Sequence, residues 1–430
     1  MNVLVSCAGI AGLALAHWLR RHGITCTIVE RAPAPRTGGQ AIDVRGAARD
    51  VVERMGIMDD VRAHHTGAHG LAYVDARGRR VAEMGGDGFG DSGGIIAEIE
   101  ILRGDLLRIL GAAAAGTNVV YDDMITGLTE TPEGIRAEFR HARPRTFDAV
   151  VGADGLRSGV RAHAFGPESA HVRDLGTYTA YFPARTTLDL DGWELMYNAP
   201  GGRVCLLYPV GRDGAVRVLL AFRSPVRDVS DPPAVLREVF ADAGWELPRL
   251  LPQIPADLYF ARDGFVQVDG WSRGRAVLLG DAAFGGSVGM GTSMALVGAY
   301  VLAGELATGG ARAPGGAQAA GSAQTAGSAQ TAGSDPAAGS DPRRAFERYE
   351  DVMRDYVAVN QKRDPQIDKG FAPMTRRGIW LRNQAIRLMT TLPGKGAITG
   401  DLQKTANAIT LRDYGLTSGT SRRSDASPRR

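Results

Sequence analysis

The stretch that decides the fold runs from Asn2 to Glu30 and reads NVLVSCAGIAGLALAHWLRRHGITCTIVE. A short apolar strand ends at Ser6, a turn containing Gly9 and Gly12 follows, and an amphipathic helix leads into a second strand that ends at Glu30. A strand, a glycine turn, a helix and a strand, with an acid about 20 residues beyond the turn, are typical of a dinucleotide-binding βαβ unit. Gly9 would let the backbone approach a pyrophosphate, and Gly12 would let the helix pack closely on the strand. We therefore predict a dinucleotide site at the start of the chain, with Glu30 accepting hydrogen bonds from a ribose.

One position of this unit departs from the usual G-x-G-x-x-G pattern. Its first glycine is replaced by Cys7. An imperfect glycine pattern on its own is weak support for a nucleotide site, but at residue 7 and inside a βαβ unit it is strong.

The composition fits a soluble globular protein of two or three packed units. The chain has 430 residues, 44% hydrophobic and 23% charged, and a net charge of +3, so nothing in it calls for nucleic acid or an anionic membrane. Its three cysteines have no metal or redox spacing, and neither a signal peptide nor an 18-residue apolar run is present. We expect a cytoplasmic protein without a membrane span, as a monomer or a homodimer.

The pattern along the chain divides it into five parts. Apolar runs alternating with helical periodicity predict an α/β nucleotide-binding unit, and the strand-like runs between residues 176 and 268 predict a mostly antiparallel inserted sheet. The Ala-, Gly- and Ser-rich hexads AQAAGS and AQTAGS cannot form a core, which predicts a flexible insertion. The predicted parts are the nucleotide-binding unit at 1–69, 95–175 and 269–308, the sheet unit at 70–94 and 176–268, the insertion at 309–342, C-terminal helices at 343–414, and a disordered tail at 415–430.

Two further motifs narrow the kind of nucleotide. Asp154-Gly155 follows an apolar strand and starts a helix, while Gly280-Asp281 places an acid at the carboxyl end of another strand, where open α/β sheets bind ligands. Each has an ordinary structural alternative, because Asp-Gly is common in turns and Asp is a common helix cap. Arg103 at a helix start would likewise normally be a solvated charge. The combination favours a flavin site.

Together with the first motif and Arg103, these segments resemble the flavin-dependent aromatic hydroxylases of the para-hydroxybenzoate hydroxylase type, in particular the subgroup with tetracycline-inactivating monooxygenases and polyketide tailoring hydroxylases. The resemblance covers residues 1–310 and continues more loosely through the C-terminal helices. It implies a glutathione-reductase-like Rossmann-type domain that binds FAD, with NADPH or NADH as the reductant.

The resemblance also gives roles to individual positions. It implies that Gly9, Ile10, Ala11 and Gly12 hold the FAD pyrophosphate and that Glu30 holds the adenosine ribose, with Arg31 and Arg103 beside the adenosine and phosphates. It implies that Asp154 supports the pyrophosphate region and that Gly280 and Asp281 bind ribityl or pyrophosphate oxygens. The helix start at Gly289, Met290, Gly291 and Thr292 would present N–H groups to the flavin pyrimidine.

Residues that would touch a substrate are less well defined. Arg45 is a candidate for contact with the flavin ring or the substrate. Several aromatic residues of the inserted sheet are candidates for a substrate pocket over one of its faces, and for any one of them packing in the core is at least as good an interpretation. They are Tyr181, Trp193, Tyr197, Phe222 and Phe260.

The loop after Asp281 departs from the family. The proline that members carry is missing, the loop is about two residues short, and Gly285 and Gly286 suggest flexibility at an entropic cost. One interpretation is local drift in an enzyme that still uses FAD. Another is a tailoring enzyme whose redox chemistry is altered or lost, such as a cyclase that keeps FAD structurally; a ligand-binding protein is a third.

The resemblance favours the first interpretation and implies the chemistry. We predict an oxidoreductase, an FAD-dependent monooxygenase that hydroxylates or epoxidises a polycyclic aromatic or polyketide-type small molecule with molecular oxygen, in bacterial secondary metabolism such as antibiotic biosynthesis. No acid–base pair or metal site is needed, because the cofactor carries the chemistry.

Overall fold

The computed structural model describes residues 1–35, 38–85, 99–210, 214–287, 289–309, 341–361, 370–391 and 404–415. Nearly all of the predicted insertion and tail therefore lies outside the described residues, as does Val288 in the loop after Asp281. Strands are numbered along the chain as β1 (Asn2–Ser6), β2 (Thr25–Glu30), β3 (Ala41–Asp43), β4 (Gly70–Val74), β5 (Arg80–Gly85), β6 (Glu100–Leu102), β7 (Asn118–Tyr121), β8 (Ile125–Thr131), β9 (Gly134–Phe139), β10 (Arg145–Phe147), β11 (Ala149–Gly152), β12 (Val172–Arg185), β13 (Trp193–Ala199), β14 (Arg203–Pro209), β15 (Ala215–Arg223), β16 (Tyr259–Val266), β17 (Ser272–Arg273) and β18 (Ala276–Leu278).

Helices are numbered in the same way. They are α1 (Ile10–Arg21), α2 (Ala47–Met55), α3 (Met58–Ala63), α4 (Arg103–Ala113), α5 (Gly159–Phe165), α6 (Pro232–Val239), α7 (Leu247–Leu250), α8 (Asp281–Phe284), α9 (Gly291–Thr308), α10 (Pro342–Asn360) and α11 (Arg376–Thr391).

The N-terminal βαβ unit forms the centre of a six-stranded sheet with the order β17-β18-β11-β1-β2-β7. All its pairs are parallel except β17 with β18. Ser6 lies opposite Gly152 and Val29, and Gly152 lies opposite Leu278, so these strands end at one edge of the sheet. That shared edge brings the glycine turn, the Asp154 motif and the Asp281 motif together, although they are far apart in sequence.

The long helix α9 explains the apolar run that follows the Asp281 motif. Most of its residues are buried, including Leu296, Val297 and Leu302, as expected of a helix that is apolar on all sides. It packs beside α1, where the rings of Trp18 and Tyr300 meet edge to face with centroids 4.9 Å apart. The helix therefore fixes the βαβ unit from one side.

A second sheet has seven strands in the order β16-β12-β15-β14-β13-β4-β5. Its pairs are antiparallel except β13 with β4. One face packs on α6 and α7 through residues such as Phe222, Leu236 and Phe240, and the other carries a smaller cluster with Met196 and Leu206. The predicted α/β fold with an inserted, mostly antiparallel sheet is confirmed, whereas the domain boundaries stay a prediction.

The C-terminal helices pack onto both units. Helix α10 buries Phe346, Tyr349 and Met353 against the nucleotide-binding core. Helix α11 packs on the second sheet, where the Arg382 guanidinium lies 4.0 Å from the centroid of the Tyr73 ring and Ile386 is buried. In the described ranges, no helix is long and apolar enough to cross a bilayer.

Candidate functional site

The turn between β1 and α1 is shaped by the close approach of its backbone segments. A Cβ added at Gly12 would lie 2.0 Å from the carbonyl oxygen of Cys7, so only glycine fits there. Gly9 is the N-cap residue of α1, and no side chain caps this helix end. The N–H groups of the first turn, at Ile10, Ala11 and Gly12, thus remain available to an anion such as a pyrophosphate.

Cys7 occupies a backbone conformation that normally belongs to glycine. Its φ is +88°, where a side chain is strained because Cβ crowds the following carbonyl oxygen. Its N–H donates to the Val29 carbonyl oxygen at 2.7 Å, which ties the turn to β2. The cysteine in place of the glycine therefore strains the backbone locally but does not change the shape of the turn.

We expect Cys7→Gly to raise the free energy of unfolding by about 1 kcal/mol, because it removes this strain against a smaller gain of freedom in the unfolded chain. It should also raise FAD affinity, as measured by titration of the cofactor-free protein. Cys7→Ala, which removes the thiol and keeps Cβ, is the matched control and should leave both quantities near wild type. Equal stabilisation by alanine and glycine would assign the effect to the thiol instead of the backbone.

Glu30 is held in place at the end of β2. It is 3% exposed, its Oε2 accepts a hydrogen bond from Ala8 N at 2.8 Å, and its Oε1 accepts one from Ala32 N at 2.9 Å. The carboxylate thus bridges the glycine turn and the start of the next loop. Arg31 follows it as an exposed side chain. Both lie at the sheet edge where the adenosine was predicted.

Asp281 begins α8 and lies deep in the groove beside the turn. Its side chain is reached by water, yet protein surrounds it on most sides, and this enclosure raises the pKa of its carboxyl while Arg103 acts in the opposite direction. The preceding Gly280 has a φ of +64°, and a Cβ placed there would lie 3.2 Å from Ala11 Cβ. The Asp281 motif is therefore packed directly against the start of α1.

The start of α9 lies beside the same carboxylate. A Cβ added at Gly291 would be 3.5 Å from Asp281 Oδ1, and Gly289 has a φ of +72°. Met290 is the buried N-cap residue, Thr292 is half-buried, and no side chain caps this helix end either. A second set of helix N–H groups thus faces the region that Asp281 and Arg103 border.

The loop between α8 and α9 is packed rather than loose at its glycines. The Gly285 carbonyl accepts hydrogen bonds from Val266 N at 3.0 Å and from Gln361 Nε2 at 3.3 Å. Gly286 has a φ of +103°, and a Cβ there would lie 2.8 Å from the Gly264 carbonyl oxygen. These glycines were expected to confer flexibility, whereas the structure uses them for close contact with β16.

Asp154 is committed to its own loop. Its carboxylate accepts hydrogen bonds from Ser158 Oγ at 2.5 Å, from Gly159 N at 2.9 Å and from Val160 N and Ser6 Oγ at 3.2 Å each. It therefore caps the start of α5 and joins that loop to the end of β1. Any support that it gives to a pyrophosphate is indirect, through the position of β1.

Arg45 is likewise held by protein groups. Its Nε donates to Asp43 Oδ2 at 2.9 Å, its guanidinium forms an ion pair with the same carboxylate at 2.8 Å, and its backbone N–H donates to Ser293 Oγ at 2.9 Å. The side chain is 7% exposed. This pair fastens β3 to the start of α9.

The predicted aromatic residues lie on different faces of the second sheet. Tyr181 lies opposite Tyr259 and Leu219, in a row that continues through Leu206 and Met196. The other four belong to the cluster covered by α6 and α7, with Phe222 stacked on Tyr178 and packed edge to face on Phe240. They are Trp193, Tyr197, Phe222 and Phe260. The structure does not bring them to the face that Tyr181 occupies, because adjacent strand residues point to opposite sides.

The sheet face that carries Tyr181, which we call the tyrosine-bearing face, borders the groove. It also carries residues that were not predicted to belong to the site. Tyr259 lies within electrostatic range of Arg103 and Asp281, and Tyr208 lies within range of Asp43. Arg217 is directed towards Gly38, whose added Cβ would lie 3.4 Å from Arg217 Nη2. A usable signal was present in the alternation of strands β12, β14, β15 and β16, which places these polar side chains on one face.

Arg161 is another residue beside the site that was not predicted from the sequence. It is 1% exposed and donates to the Ala282 carbonyl oxygen at 2.9 Å and to the Leu156 carbonyl oxygen at 2.6 Å. It thus joins the Asp154 loop to the residue that follows Asp281. The signal was an arginine in a short and mostly apolar helix.

The residues present fit FAD. The backbone cradle that a Cβ would fill at Gly12, the uncapped starts of α1 and α9, and the Glu30 and Asp281 carboxylates meet at one groove. Uncapped helix starts suit anionic phosphates and an electron-rich ring, and carboxylates suit hydroxyl groups of ribose and ribityl chains. In the described parts of the chain, no cluster of residues suits a metal ion.

Comparison with known proteins agrees with this arrangement. Residues 1–312 match the family described as FAD binding domain. The chain is 40% identical over 298 residues to an uncharacterised protein of Mycobacterium tuberculosis, covering 66% of this chain and 78% of that one. It is 36% identical over 290 residues to a flavin-dependent monooxygenase of an unknown prokaryotic organism, covering 66% and 74%. The crystal structure of tetracycline destructase Tet(51) superposes with a TM-score of 0.73 at 28% identity, covering 96% of this chain and 99% of that one.

Proposed function

The chain belongs to the family of flavin-dependent monooxygenases that share this FAD binding domain, and from that premise we propose that it uses NADPH or NADH to hydroxylate or epoxidise a polycyclic aromatic or polyketide-type small molecule. The predictions of an oxidoreductase, of a monooxygenase and of FAD as its cofactor are confirmed by these relatives. The reductant, the substrate and a place in bacterial secondary metabolism belong to the proposal.

One observation of the structure carries the proposal. Tyr259 on the second sheet lies within electrostatic range of Arg103 and Asp281, which border the groove of the nucleotide-binding unit. A molecule on the tyrosine-bearing face would therefore lie beside a bound cofactor. FAD, when bound, supplies the electron transfer and the oxygen chemistry, in which one oxygen atom enters the substrate and the other leaves as water.

The chain's own residues position and enclose the reactants. The starts of α1 and α9 offer N–H groups to the cofactor, and the Arg45–Asp43 pair holds the start of α9 through Ser293. Helix α11 covers part of the second sheet, where Arg382 donates to Asn198 Oδ1 at 2.7 Å. We propose that the predicted cofactor residues hold FAD at the sheet edge.

A solved neighbour supports the class of substrate. It is named a tetracycline destructase and superposes over 96% of this chain. Tyrosine rings along one sheet face provide broad planar contacts for an aromatic molecule. A polycyclic aromatic substrate fits both observations.

The test is the absorbance spectrum of the purified FAD-loaded protein under NADPH or NADH, with and without oxygen, in the presence of candidate polycyclic substrates. We expect a substrate to accelerate loss of the oxidised-flavin band without oxygen, and NAD(P)H consumption with product one oxygen atom heavier in air. A protein that retains FAD yet never oxidises NAD(P)H, and converts a substrate without oxygen, would instead have lost the redox chemistry.

A further inference from the structure

Two carboxyl side chains meet in the interior between the nucleotide-binding unit and the second sheet. Glu100 on β6 and Glu194 on β13 are 7% and 5% exposed, and their carboxyl groups lie within hydrogen-bonding reach of each other. Thr66 Oγ1 donates to Glu100 Oε1 at 2.6 Å. Because a second carboxylate is a poor partner for a first, this arrangement requires a shared proton.

The pair has no cation of its own in the described part of the chain. Arg45 is within electrostatic range of Glu100, but its guanidinium is bound to Asp43, which adds a further negative charge nearby. Burial raises the pKa of Glu100 to about 7 and raises that of Glu194 well above its usual range. The two carboxyls therefore hold one proton between them.

An unsatisfied atom points to a ligand. Glu194 Oε1 is buried and has no hydrogen-bond partner among the described residues. An unpartnered carboxyl oxygen in the interior carries a large desolvation cost, which a ligand with a donor group would offset. The strand register places Glu194 beside Tyr208, whose pKa is raised by burial and by the nearby Tyr181 and Glu194. The pair therefore borders the tyrosine-bearing face.

We propose that the Glu100–Glu194 pair is the part of the substrate site that binds a protonated amine carried by a planar aromatic substrate. The proposal rests on the proposed function, because it takes the tyrosine-bearing face as the substrate face. An ammonium group supplies the positive charge that the pair lacks and donors for its free oxygen, and tyrosine rings favour a neighbouring cation.

The experiment compares two planar probes that differ in one amine. Tetracycline carries a dimethylammonium group at neutral pH, and 4-dedimethylaminotetracycline lacks it; binding of each to FAD-loaded protein is measured by fluorescence titration without reductant. We expect the wild type to bind tetracycline at least about tenfold more tightly, as a charge-assisted hydrogen bond would give. The double variant Glu100→Gln/Glu194→Gln, which leaves the pair with no ionisable carboxyl, should reduce the preference to within about twofold, with affinity for the amine-free probe retained.

A control variant makes the result decisive. The exposed Glu238→Gln on α6, which leaves the pair intact, should keep the preference. FAD content of each variant checks its folding. Equal binding of the two probes by the wild type, binding of neither, or a preference that survives in the double variant would overturn the proposal. Failure of the proposed function would show separately, as absence of oxygen-dependent NAD(P)H oxidation, since these titrations need no turnover.

Discussion

Replacing Gly12 with alanine is expected to abolish FAD retention and to lower the free energy of unfolding by about 3 kcal/mol, the upper end of what overpacking costs. The added Cβ would lie 2.0 Å from the Cys7 carbonyl oxygen and 3.3 Å from Val5 Cγ1, and neither the turn nor β1 can withdraw without breaking the buried sheet. Helix α1 would have to move away from the turn, which separates its N–H groups from the phosphate position. The measurements are flavin absorbance per mole of purified protein and the urea midpoint.

Gly111→Ala provides the matched control for this change. Gly111 lies within α4, and a Cβ there would meet no atom within 4 Å. Alanine should leave FAD content unchanged and raise stability by up to about 1 kcal/mol through helix propensity. If the Gly12→Ala protein kept a full complement of FAD, the close packing of α1 on the turn would not be what forms the cofactor site.

The cofactor half of the site could be predicted because it is local in sequence. Gly9, Gly12 and Glu30 occur within one βαβ unit, and the edge at which parallel strands end follows from the fold class. Asp154 lies at that edge, yet its carboxylate accepts hydrogen bonds from four protein donors. A motif fixes where a residue lies, whereas the atoms that its side chain contacts depend on the packing of the loop around it.

The substrate half could not be predicted in the same way. Apolar residues occupy both faces of the second sheet because both faces are covered, so alternation separates Tyr181 from Phe222 without showing which face borders the cofactor. Glu100 and Glu194 are distant in sequence, and only the packed structure brings them together. A glutamate within the apolar strand WELMYNA was the available signal, since an acid is rarely buried without a purpose.

Removing Arg348 is expected to lower the free energy of unfolding by about 3 kcal/mol, more than removing its partner Glu305. Glu305 is a single acid in the apolar helix α9 and is 2% exposed. Its Oε2 accepts from Arg348 Nε at 2.6 Å, and its Oε1 accepts from Arg412 Nη1 at 3.1 Å and Tyr414 Oη at 3.0 Å. These contacts attach helix α10 and the segment 404–415 to the core.

The two changes lower the free energy of unfolding by different amounts because the arginines are exposed and the glutamate is buried. Arg348 and Arg412 are 38% and 59% exposed, so water can solvate them once the carboxylate is gone, and Glu305→Gln should cost only about 1 kcal/mol. Arg348→Met instead leaves the buried Glu305 carboxylate, which water cannot reach, with Arg412 as its remaining cation. Urea unfolding of the FAD-loaded proteins measures both, with the exposed Arg344→Met on α10 as a control that should stay within about 0.5 kcal/mol of wild type. Equal losses for Arg348→Met and Glu305→Gln would mean that water enters beside Glu305, and that α10 is attached to the core by its apolar contacts alone.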